Sequence, residues 1–371
     1  MGNRWIETIL GGKAGDAVTV EPDLTLVTNG FSHGAIDYTE GVADPDKVLV
    51  MYDHNIPSGS PEDAKVYGEI LRFAQKNRIS FKQAKGYSLQ YLADEIVKGG
   101  QIVVTGTRHA AVLGAKGVLG IGLCNTELGR VLTTGKYSVV IPETLVVKVI
   151  GTLPKGTGMT DAALCFLEKH QELRGKVIEF TGSGICDHDK AVMCYMAGET
   201  GAYAAVWTEA EDPDEVFNLG NVCAMLRMPC ETVQDQTRAA FAKAATLEDT
   251  IQAGQIGGCN GGTIEDLRRA VALIEGKKLR YSFRLTVCPA TSSAYLKALE
   301  EGLITKFIDF GAQISAAGDH SIVPQGAGAM GPEEKLLTTG LYTFSGSMGC
   351  EDARIMTASL ETIMAYAAVE N

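Results

Sequence analysis

Two short polar motifs pair a histidine with a second charged side chain. The first is Asp53-His54-Asn55, with Ser58 close behind it, and the second is Arg108-His109. A carboxylate beside an imidazole can fix the tautomer of the ring and raise its basicity, which suits proton transfer. A guanidinium can hold a carboxylate through two parallel hydrogen bonds. These residues predict acid–base chemistry on an anionic substrate, and purely structural polar turns are the alternative interpretation.

A third motif places Cys259 in the glycine-rich segment 257–262, directly before the helical pattern of residues 263–268. A thiol at a helix N-terminus has a lowered pKa, so this position favours metal ligation or nucleophilic attack. A small buried cysteine in a tight turn is the alternative. The segment 182–187 imitates a dinucleotide fingerprint, but Asp187 replaces its third glycine and would face the pyrophosphate. We therefore expect no dinucleotide cofactor.

The elements that must position these motifs alternate between short apolar strands and longer helical patterns. Strands are predicted at residues 47–52, 101–104, 138–141, 145–150, 176–181 and 280–287, and helices at 61–76 and 89–97. Such alternation is typical of an α/β protein with a largely parallel sheet, in which ligand sites gather where strands end and helices begin. Because His54 and His109 each follow a predicted strand, both are placed at such an edge.

Length and composition limit the classes of protein to which the chain can belong. Its 371 residues predict two to three domains, which we place at 1–160, 161–250 and 251–371, the last carrying Cys259. The net charge of −12 argues against nucleic acid or an anionic membrane as the main partner. Nine cysteines without Cys-x-x-Cys spacing, and no long apolar stretch, predict a cytoplasmic protein with reduced thiols. The 43 glycines predict close approaches of the backbone to a ligand.

Several motifs, in their order and spacing, carry a resemblance to a known family. They are Ala14-Gly15-Asp16, Asp44-Pro45-Asp46-Lys47 running on to Asp53-His54-Asn55, Pro142-Glu143-Thr144, the segment 175–182, and the Cys259 loop with its helix. On these residues the sequence resembles the aconitase superfamily, and most closely the large subunits of isopropylmalate dehydratase. The resemblance implies a multi-layer α/β body with mostly parallel sheets that lacks the swivel domain, so a small swivel-domain subunit is the expected partner.

The resemblance also implies a cofactor and a reaction. In that family three cysteines hold a 4Fe–4S cluster, whose open iron acts as a Lewis acid while water is eliminated from a hydroxy acid and added back. Asp53, His54 and Glu179 match the family's acid–base residues, and His109 matches the histidine of its Asp-Ser-His-Thr motif. Gln90 also matches, whereas Leu89 stands where the family has a histidine, and Thr107 and Arg108 replace the Asp and Ser.

The positions of the cluster ligands and of the substrate-binding arginines depart from the family pattern. Cys259 matches the first cluster cysteine, but Asp319 and Ile322 stand where the other two belong, and Tyr342 and Ser347 stand in place of two arginines. One thiolate cannot hold a cubane, so a 4Fe–4S cluster would need a further cysteine such as Cys350. Cys259, Asp319 and His320 instead predict a single divalent metal ion, iron or zinc. A polar turn after Gly318 is the alternative for Asp319 and His320.

The sequence therefore predicts a hydro-lyase that acts on a small hydroxy acid. Asp53, His54, His109 and Glu179 are expected to move protons, while Arg108, Gln90 and Ser58 are expected to bind substrate. The loss of two arginines predicts a substrate with fewer carboxylates than the family's usual one. The alternative is a catalytically silent relative that binds a metabolite or a partner subunit.

Overall fold

Five parallel strands form the first sheet of the protein. The structure is a computed structural model that describes residues 4–171, 173–247 and 250–370. The strands lie side by side in the order Ser80–Lys82, Val48–Met51, Leu24–Thr28, Ile102–Thr105 and Leu119–Gly122. Strands Val48–Met51 and Ile102–Thr105 are wholly buried and rich in valine, as expected for a parallel sheet covered on both faces.

The second sheet has four strands, all of them parallel. The third sheet has seven strands, of mixed direction. The order in the second is Ala204–Thr208, Val177–Thr181, Thr144–Ile150 and Glu215–Asn218. The order in the third is Phe241–Lys243, Met225–Arg227, Arg354–Ala358, Lys335–Thr338, Ala253–Gly257, Arg284–Cys288 and Gln313–Ile314. The pairings of Met225–Arg227 with both its neighbours are antiparallel, and the other pairings of the third sheet are parallel. The predicted α/β fold with mostly parallel sheets is thus confirmed.

Helices cover and connect the sheets. The α-helices are Trp5–Leu10, Pro61–Asn77, Ser88–Tyr91, Asn125–Thr134, Met159–Lys169, Asp187–Ala197, Ile264–Ile274, Ser292–Glu300, Leu303–Phe310 and Leu360–Ala367. A π turn spans Leu92–Ile96, and 3₁₀ helices span His33–Tyr38, Pro45–Lys47, Arg108–Lys116, Gly198–Thr200, Leu219–Asn221, Val233–Arg238 and Ala244–Thr246. Within the described ranges, no helix has the length and apolar character needed to cross a membrane.

Most of the predicted elements are present, with some differences in extent. The helix predicted at 61–76 is Pro61–Asn77, which begins with proline in its first turn and with Ser60 accepting a hydrogen bond from the backbone N–H of Asp63. The strand predicted at 280–287 is shorter, at Arg284–Cys288, because the chain turns at Phe283, whose N–H bonds to the carbonyl of Arg280. The strand predicted at 138–141 is Tyr137–Val140, which forms a two-stranded antiparallel pair with Ala17–Val20. A second such pair joins Lys277–Leu279 to Ala368–Glu370.

The three main sheets are formed by strands from residues 24–122, 144–218 and 225–358. Strand Thr144–Ile150 lies before the boundary predicted near residue 160, yet it pairs with Val177–Thr181. The division into domains at 1–160, 161–250 and 251–371 stays a prediction.

The 3₁₀ helix Arg108–Lys116 packs tightly against the second sheet. Its Ala110, Ala111 and Leu113 are buried, and a methyl group added at Gly114 would overlap the carbonyl oxygen of Ala205. This packing holds Arg108 and His109 at the start of the helix, directly after strand Ile102–Thr105.

Candidate active site

Asn29 fixes the backbone that carries Asp53 and His54. It follows strand Leu24–Thr28, which lies beside Val48–Met51 in the first sheet. Its side-chain oxygen accepts hydrogen bonds from the backbone N–H groups of Asp53, at 2.9 Å, and His54, at 3.2 Å. Its side-chain nitrogen donates to the carbonyl of His54 at 2.9 Å. Polar residues at the ends of two adjacent strands are thereby locked together.

The imidazole of His54 lies between two carboxylates. Its Nδ1 is 2.6 Å from Oδ1 of Asp53, and its Nε2 is 3.2 Å from Oδ2 of Asp319. Burial alone would lower the pKa of His54, but the charge of Asp53 and the carboxylate of Asp319 outweigh it and raise this pKa to about 10. Burial would raise the pKa of Asp319, but its contact with His54 holds that pKa well below the ordinary value. The two carboxylates therefore favour the imidazolium form of His54 over the neutral ring.

Three polar atoms around this histidine have no aligned hydrogen-bond partner among the described residues. They are Nε2 of His54, Oδ2 of Asp319 and the hydroxyl of Tyr87, all of them buried. The ring of Tyr87 is 6.1 Å from that of His54. Because an unsatisfied buried polar atom costs free energy, these groups are suited to bonding a ligand or an ordered water.

His109 belongs to a second buried network, centred on Glu199. The Nε2 of His109 lies 2.8 Å from Oε1 of Glu199, and Nε of Arg108 donates to the same oxygen at 3.1 Å. Arg227 donates to the other carboxylate oxygen at 2.7 Å. Burial would raise the pKa of Glu199, but the guanidinium groups of Arg227 and Arg108 hold it well below the ordinary value. Glu199 is therefore a carboxylate that three cationic or donor groups share.

Aromatic rings connect the two histidine networks. Phe31 meets His54 edge-on at 4.8 Å and His109 at 6.2 Å between ring centroids, and it stacks on Tyr342 at 5.6 Å. Tyr342 itself lies 5.4 Å from His109. Gly30 is needed here, because a side chain at this position would overlap the imidazole of His54. The structure thus brings His54, His109 and Arg108 to one site, as the two strand ends predict.

Cys259 lies next to this site with a protonated thiol. Its Sγ lies 3.5 Å from the hydroxyl of Ser321, to which it donates a hydrogen bond. Burial, with the nearby charge of Asp319, raises the pKa of Cys259 well above its ordinary value. The sequence predicts a lowered pKa for this thiol, on the expectation that it lies at a helix N-terminus. That prediction is wrong, because helix Ile264–Ile274 begins after Thr263 and Cys259 lies outside its first turn. Nucleophilic attack by a Cys259 thiolate is not favoured.

Comparison with known proteins identifies the family of the chain. The profile of the aconitase family (aconitate hydratase) matches residues 38–215 and 208–369. The chain belongs to the aconitase family. It is 26% identical to the 3-isopropylmalate dehydratase large subunit of Herpetosiphon aurantiacus, across 99% of this chain and 95% of that protein. It is 27% identical to the homoaconitase large subunit of Thermus thermophilus, across 97% of this chain and 94% of that protein.

A solved structure supports the same fold. Aconitase X from Thermococcus kodakaraensis, in its holo-form, aligns with a TM-score of 0.59 and 12% sequence identity. The alignment covers 94% of this chain and 90% of that one. At this identity the likeness establishes the aconitase-like fold alone.

The residues present do not fit the three-cysteine cluster that the family resemblance implies. Of the positions expected for its ligands, Cys259 alone offers a thiol, while Asp319 is engaged with His54 and with the backbone N–H of Ser321. Cys288 is also buried, but its thiol bonds to the carbonyls of Ala316 and Gly318. Cys350 is exposed, whereas Cys259 is buried.

The predicted single divalent ion on Cys259, Asp319 and His320 is not supported either. The described parts of the chain contain no group of three or more His, Cys, Asp or Glu side chains arranged to hold a metal ion. Asp319 is instead the partner of His54. His320 is buried, with Nε2 lacking a hydrogen-bond partner among the described residues and with its carbonyl accepting a bond from Gln255.

The remaining predicted site residues lie in other polar pairs. Glu179, on strand Val177–Thr181, accepts a hydrogen bond from Thr208 at 2.7 Å. Ser58 shares a hydrogen bond with the hydroxyl of Tyr52 at 2.7 Å. Gln90 donates to Asp94 at 2.8 Å and lines a cavity that also contains Cys259. None of these pairs involves His54 or His109, so the roles of Glu179, Ser58 and Gln90 stay predictions.

Several residues of the site, Arg227 and Phe31 among them, were missed by the sequence reasoning. Asn29 has a recognisable signal, since it follows strand Leu24–Thr28 as closely as Asp53 follows strand Val48–Met51, but the predicted strands do not include residues 24–28. Glu199 follows helix Asp187–Ala197 in a 3₁₀ turn and lies 90 residues from His109, so no local pattern links them. Tyr87, and Tyr195, whose hydroxyl lies 3.4 Å from Nδ1 of His109, resemble ordinary core aromatics in the sequence.

Proposed function

We propose that the chain is a hydro-lyase that acts on a small hydroxy acid together with a small swivel-domain subunit. Family membership supports this proposal, as do the relatives named dehydratase and homoaconitase large subunits. The main structural support for the proposal is the position of the two histidine networks. The rings of His54 and His109 both lie against Phe31, and Phe31 stacks on Tyr342, which also lies against His109. Two positioned acid–base groups are what elimination of water needs.

The two histidines have different roles in the proposed reaction. Elimination removes a proton from the carbon beside the carboxylate and expels the hydroxyl of the next carbon as water. His109 takes the proton at Nδ1, which lies 3.4 Å from the hydroxyl of Tyr195, because its Nε2 is held by Glu199. His54 gives a proton from Nε2 to the leaving hydroxyl, while its Nδ1–H stays bonded to Asp53. The reverse transfers add water to the unsaturated acid.

The charges around the site favour a substrate with a single carboxylate. Arg108 and Arg227 together exceed Glu199 by one positive charge, and only Arg108 is partly exposed, at 35% of its side chain. Its Nε is bonded to Glu199, whereas its two terminal nitrogens make no hydrogen bond within the described part of the chain. An imidazolium between Asp53 and Asp319 leaves one net negative charge on the opposite side, which disfavours a second carboxylate there.

The test compares hydroxy acids with one and two carboxylates. The chain is purified with and without the small subunit encoded by the same organism, and formation of the conjugated unsaturated acid is followed by ultraviolet absorbance. We expect turnover of a monocarboxylic hydroxy acid, retained after treatment with a chelator. Replacement of either histidine, in His54→Asn or His109→Asn, is expected to lower kcat about 100-fold or more. The variant Lys65→Met, which changes an exposed ion pair, serves as the control.

The alternative is a silent relative that binds a metabolite or a partner subunit, and it is favoured by the departures at Asp319 and Ile322. It predicts that a hydroxy acid raises the melting temperature of the chain without any turnover, with or without the small subunit. That combination would reject the hydro-lyase proposal.

A further inference from the structure

A groove separates helix Pro61–Asn77 from the 3₁₀ helix His33–Tyr38 and the turn that follows it. Its volume of about 400 Å³ is in the range of small-molecule sites. The apolar part of its lining consists of Phe73, which is buried, and Ile36, which is partly buried. No residue of the His54 or His109 network lines it, so this groove is separate from the candidate active site.

The two walls of the groove carry charges of opposite sign. Arg72 and Lys76 lie one turn apart on the same face of the long helix. Asp37 and Glu40 lie on the other wall, in the 3₁₀ helix and directly after it. None of these four side chains forms an ion pair within the described part of the chain. Two cations and two carboxylates therefore line one groove without neutralising each other.

The guanidinium of Arg72 has a defined place on its wall. A methyl group added at Gly68 would lie 3.1 Å from Nη1 of Arg72, so the guanidinium lies close to the helix backbone one turn before it. Glycine in a helix interior is unfavourable compared with alanine, and here it permits this close approach. Glu69, the remaining acidic residue of the lining, lies 3.8 Å from Nζ of Lys65 and forms an ion pair with that side chain.

His33 adds a polar atom to the same groove. It is the first residue of the 3₁₀ helix, and its side chain is partly buried. Its Nδ1 is buried and has no hydrogen-bond partner among the described residues. An unsatisfied buried polar atom costs free energy, so this nitrogen is suited to bonding a polar ligand. This observation is independent of the charges on the two walls.

We propose that the groove binds a small zwitterion, namely an α-amino acid with an apolar side chain. Arg72 and Lys76 hold its carboxylate, Asp37 and Glu40 hold its ammonium group, and its side chain lies on the apolar part of the lining. A simple anion is not favoured, because the acidic residues of the lining outnumber Arg72 and Lys76. The site does not depend on the proposed hydro-lyase activity, because binding can be measured without turnover.

The test measures binding to the full-length chain by isothermal titration calorimetry. The probes are L-phenylalanine and L-valine, with two analogues of the first: N-acetyl-L-phenylalanine lacks the ammonium group, and 2-phenylethylamine lacks the carboxylate. We expect L-phenylalanine to bind about tenfold more tightly than either analogue. Arg72→Met should weaken binding of L-phenylalanine about tenfold without affecting 2-phenylethylamine. Asp37→Asn should weaken L-phenylalanine without affecting the N-acetyl compound.

Two further variants separate the position of the guanidinium from the net charge of the protein. Gly68→Ala keeps every charge and displaces the Arg72 guanidinium, so it should weaken L-phenylalanine binding while the helix is retained. Lys297→Met removes an exposed cation from helix Ser292–Glu300 and should leave the affinity unchanged.

Three results would overturn the proposal. The first is that neither amino acid binds at millimolar concentration. The second is that one of the singly charged analogues binds as tightly as L-phenylalanine, which would indicate a site for an anion or a cation alone. The third is that Lys297→Met weakens binding as much as Arg72→Met, which would indicate an effect of net charge alone.

Discussion

The Nη1 of Arg227 lies 2.7 Å from Oε2 of Glu199, and the two side chains are 1% and 0% exposed. Arg227 also donates to the carbonyl of Leu341 at 3.2 Å and to the carbonyl of Gln236. It thereby joins Glu199 to the loop that carries Tyr342. The buried charge of Glu199 depends on this guanidinium, because Arg108, the other arginine, is partly exposed.

Removal of the Arg227 charge is expected to destabilise the whole protein. The variant Arg227→Met leaves Glu199 buried with one cation fewer, and breaking a buried pair in this way costs about 3–5 kcal/mol. Unfolding in urea measures the loss. The exposed pair between Lys65 and Glu69 gives the control, and Lys65→Met should leave the free energy of unfolding nearly unchanged. Equal effects of the two substitutions would contradict the importance assigned to the Arg227–Glu199 pair.

The raised pKa of His54 predicts that the protein loses stability at alkaline pH. Its folded-state pKa of about 10 lies above the ordinary value of 6.5, so folding favours the imidazolium. The stabilisation is complete below pH 6.5 and is lost as the pH rises through about 10, by roughly a few kcal/mol. His54→Asn should therefore flatten the fall in unfolding free energy across this range.

The other histidine with a clearly raised pKa provides the comparison for that experiment. His188 contributes in the same direction, since its pKa is raised to about 9, so His188→Asn should remove only part of the slope. If His54→Asn retains the full wild-type slope, the contact of His54 with its two carboxylates does not favour the charged imidazole.

The sequence was informative where a functional side chain directly follows a strand. Asp53, His54, Arg108 and His109 all follow strands of the first sheet, and the structure places them at one site. The sequence predicts that Asp319 binds a metal ion, but Asp319 pairs with His54, which is distant from it in the sequence, and only the tertiary fold creates this contact. The pKa of Cys259 was predicted with the wrong sign, since burial depends on side chains from other elements, such as Ser321.

Gly114 tests the interpretation that the glycine excess reports close backbone approach. A methyl group at this position would overlap the carbonyl of Ala205, which is a backbone atom of the second sheet and cannot rotate away. We expect Gly114→Ala to destabilise the protein by about 1–3 kcal/mol or more in urea unfolding. It should also displace Arg108 and His109, because both begin the same 3₁₀ helix.

Gly41 is the matched control for that substitution. It is exposed, and a methyl group there would meet no atom within 4 Å. Gly41→Ala should leave stability unchanged or raise it by up to about 1 kcal/mol, because alanine restricts the unfolded chain. If Gly114→Ala were as well tolerated as Gly41→Ala, the packing of the 3₁₀ helix on the second sheet would be looser than the structure indicates.

Substitution of Glu199 is expected to lower activity much more than substitution of Glu179. Glu199 contacts His109 and Arg108 directly, whereas the hydrogen-bond partner of Glu179 is Thr208. Glu199→Gln removes the charge that orients His109, so we expect kcat of the hydro-lyase reaction to fall about 100-fold or more and KM to change as Arg108 loses its partner. Glu179→Gln keeps the bond from Thr208 and should change kcat less than tenfold. A larger loss in Glu179→Gln than in Glu199→Gln would instead assign the proton-transfer role to Glu179, as its match to the family predicts.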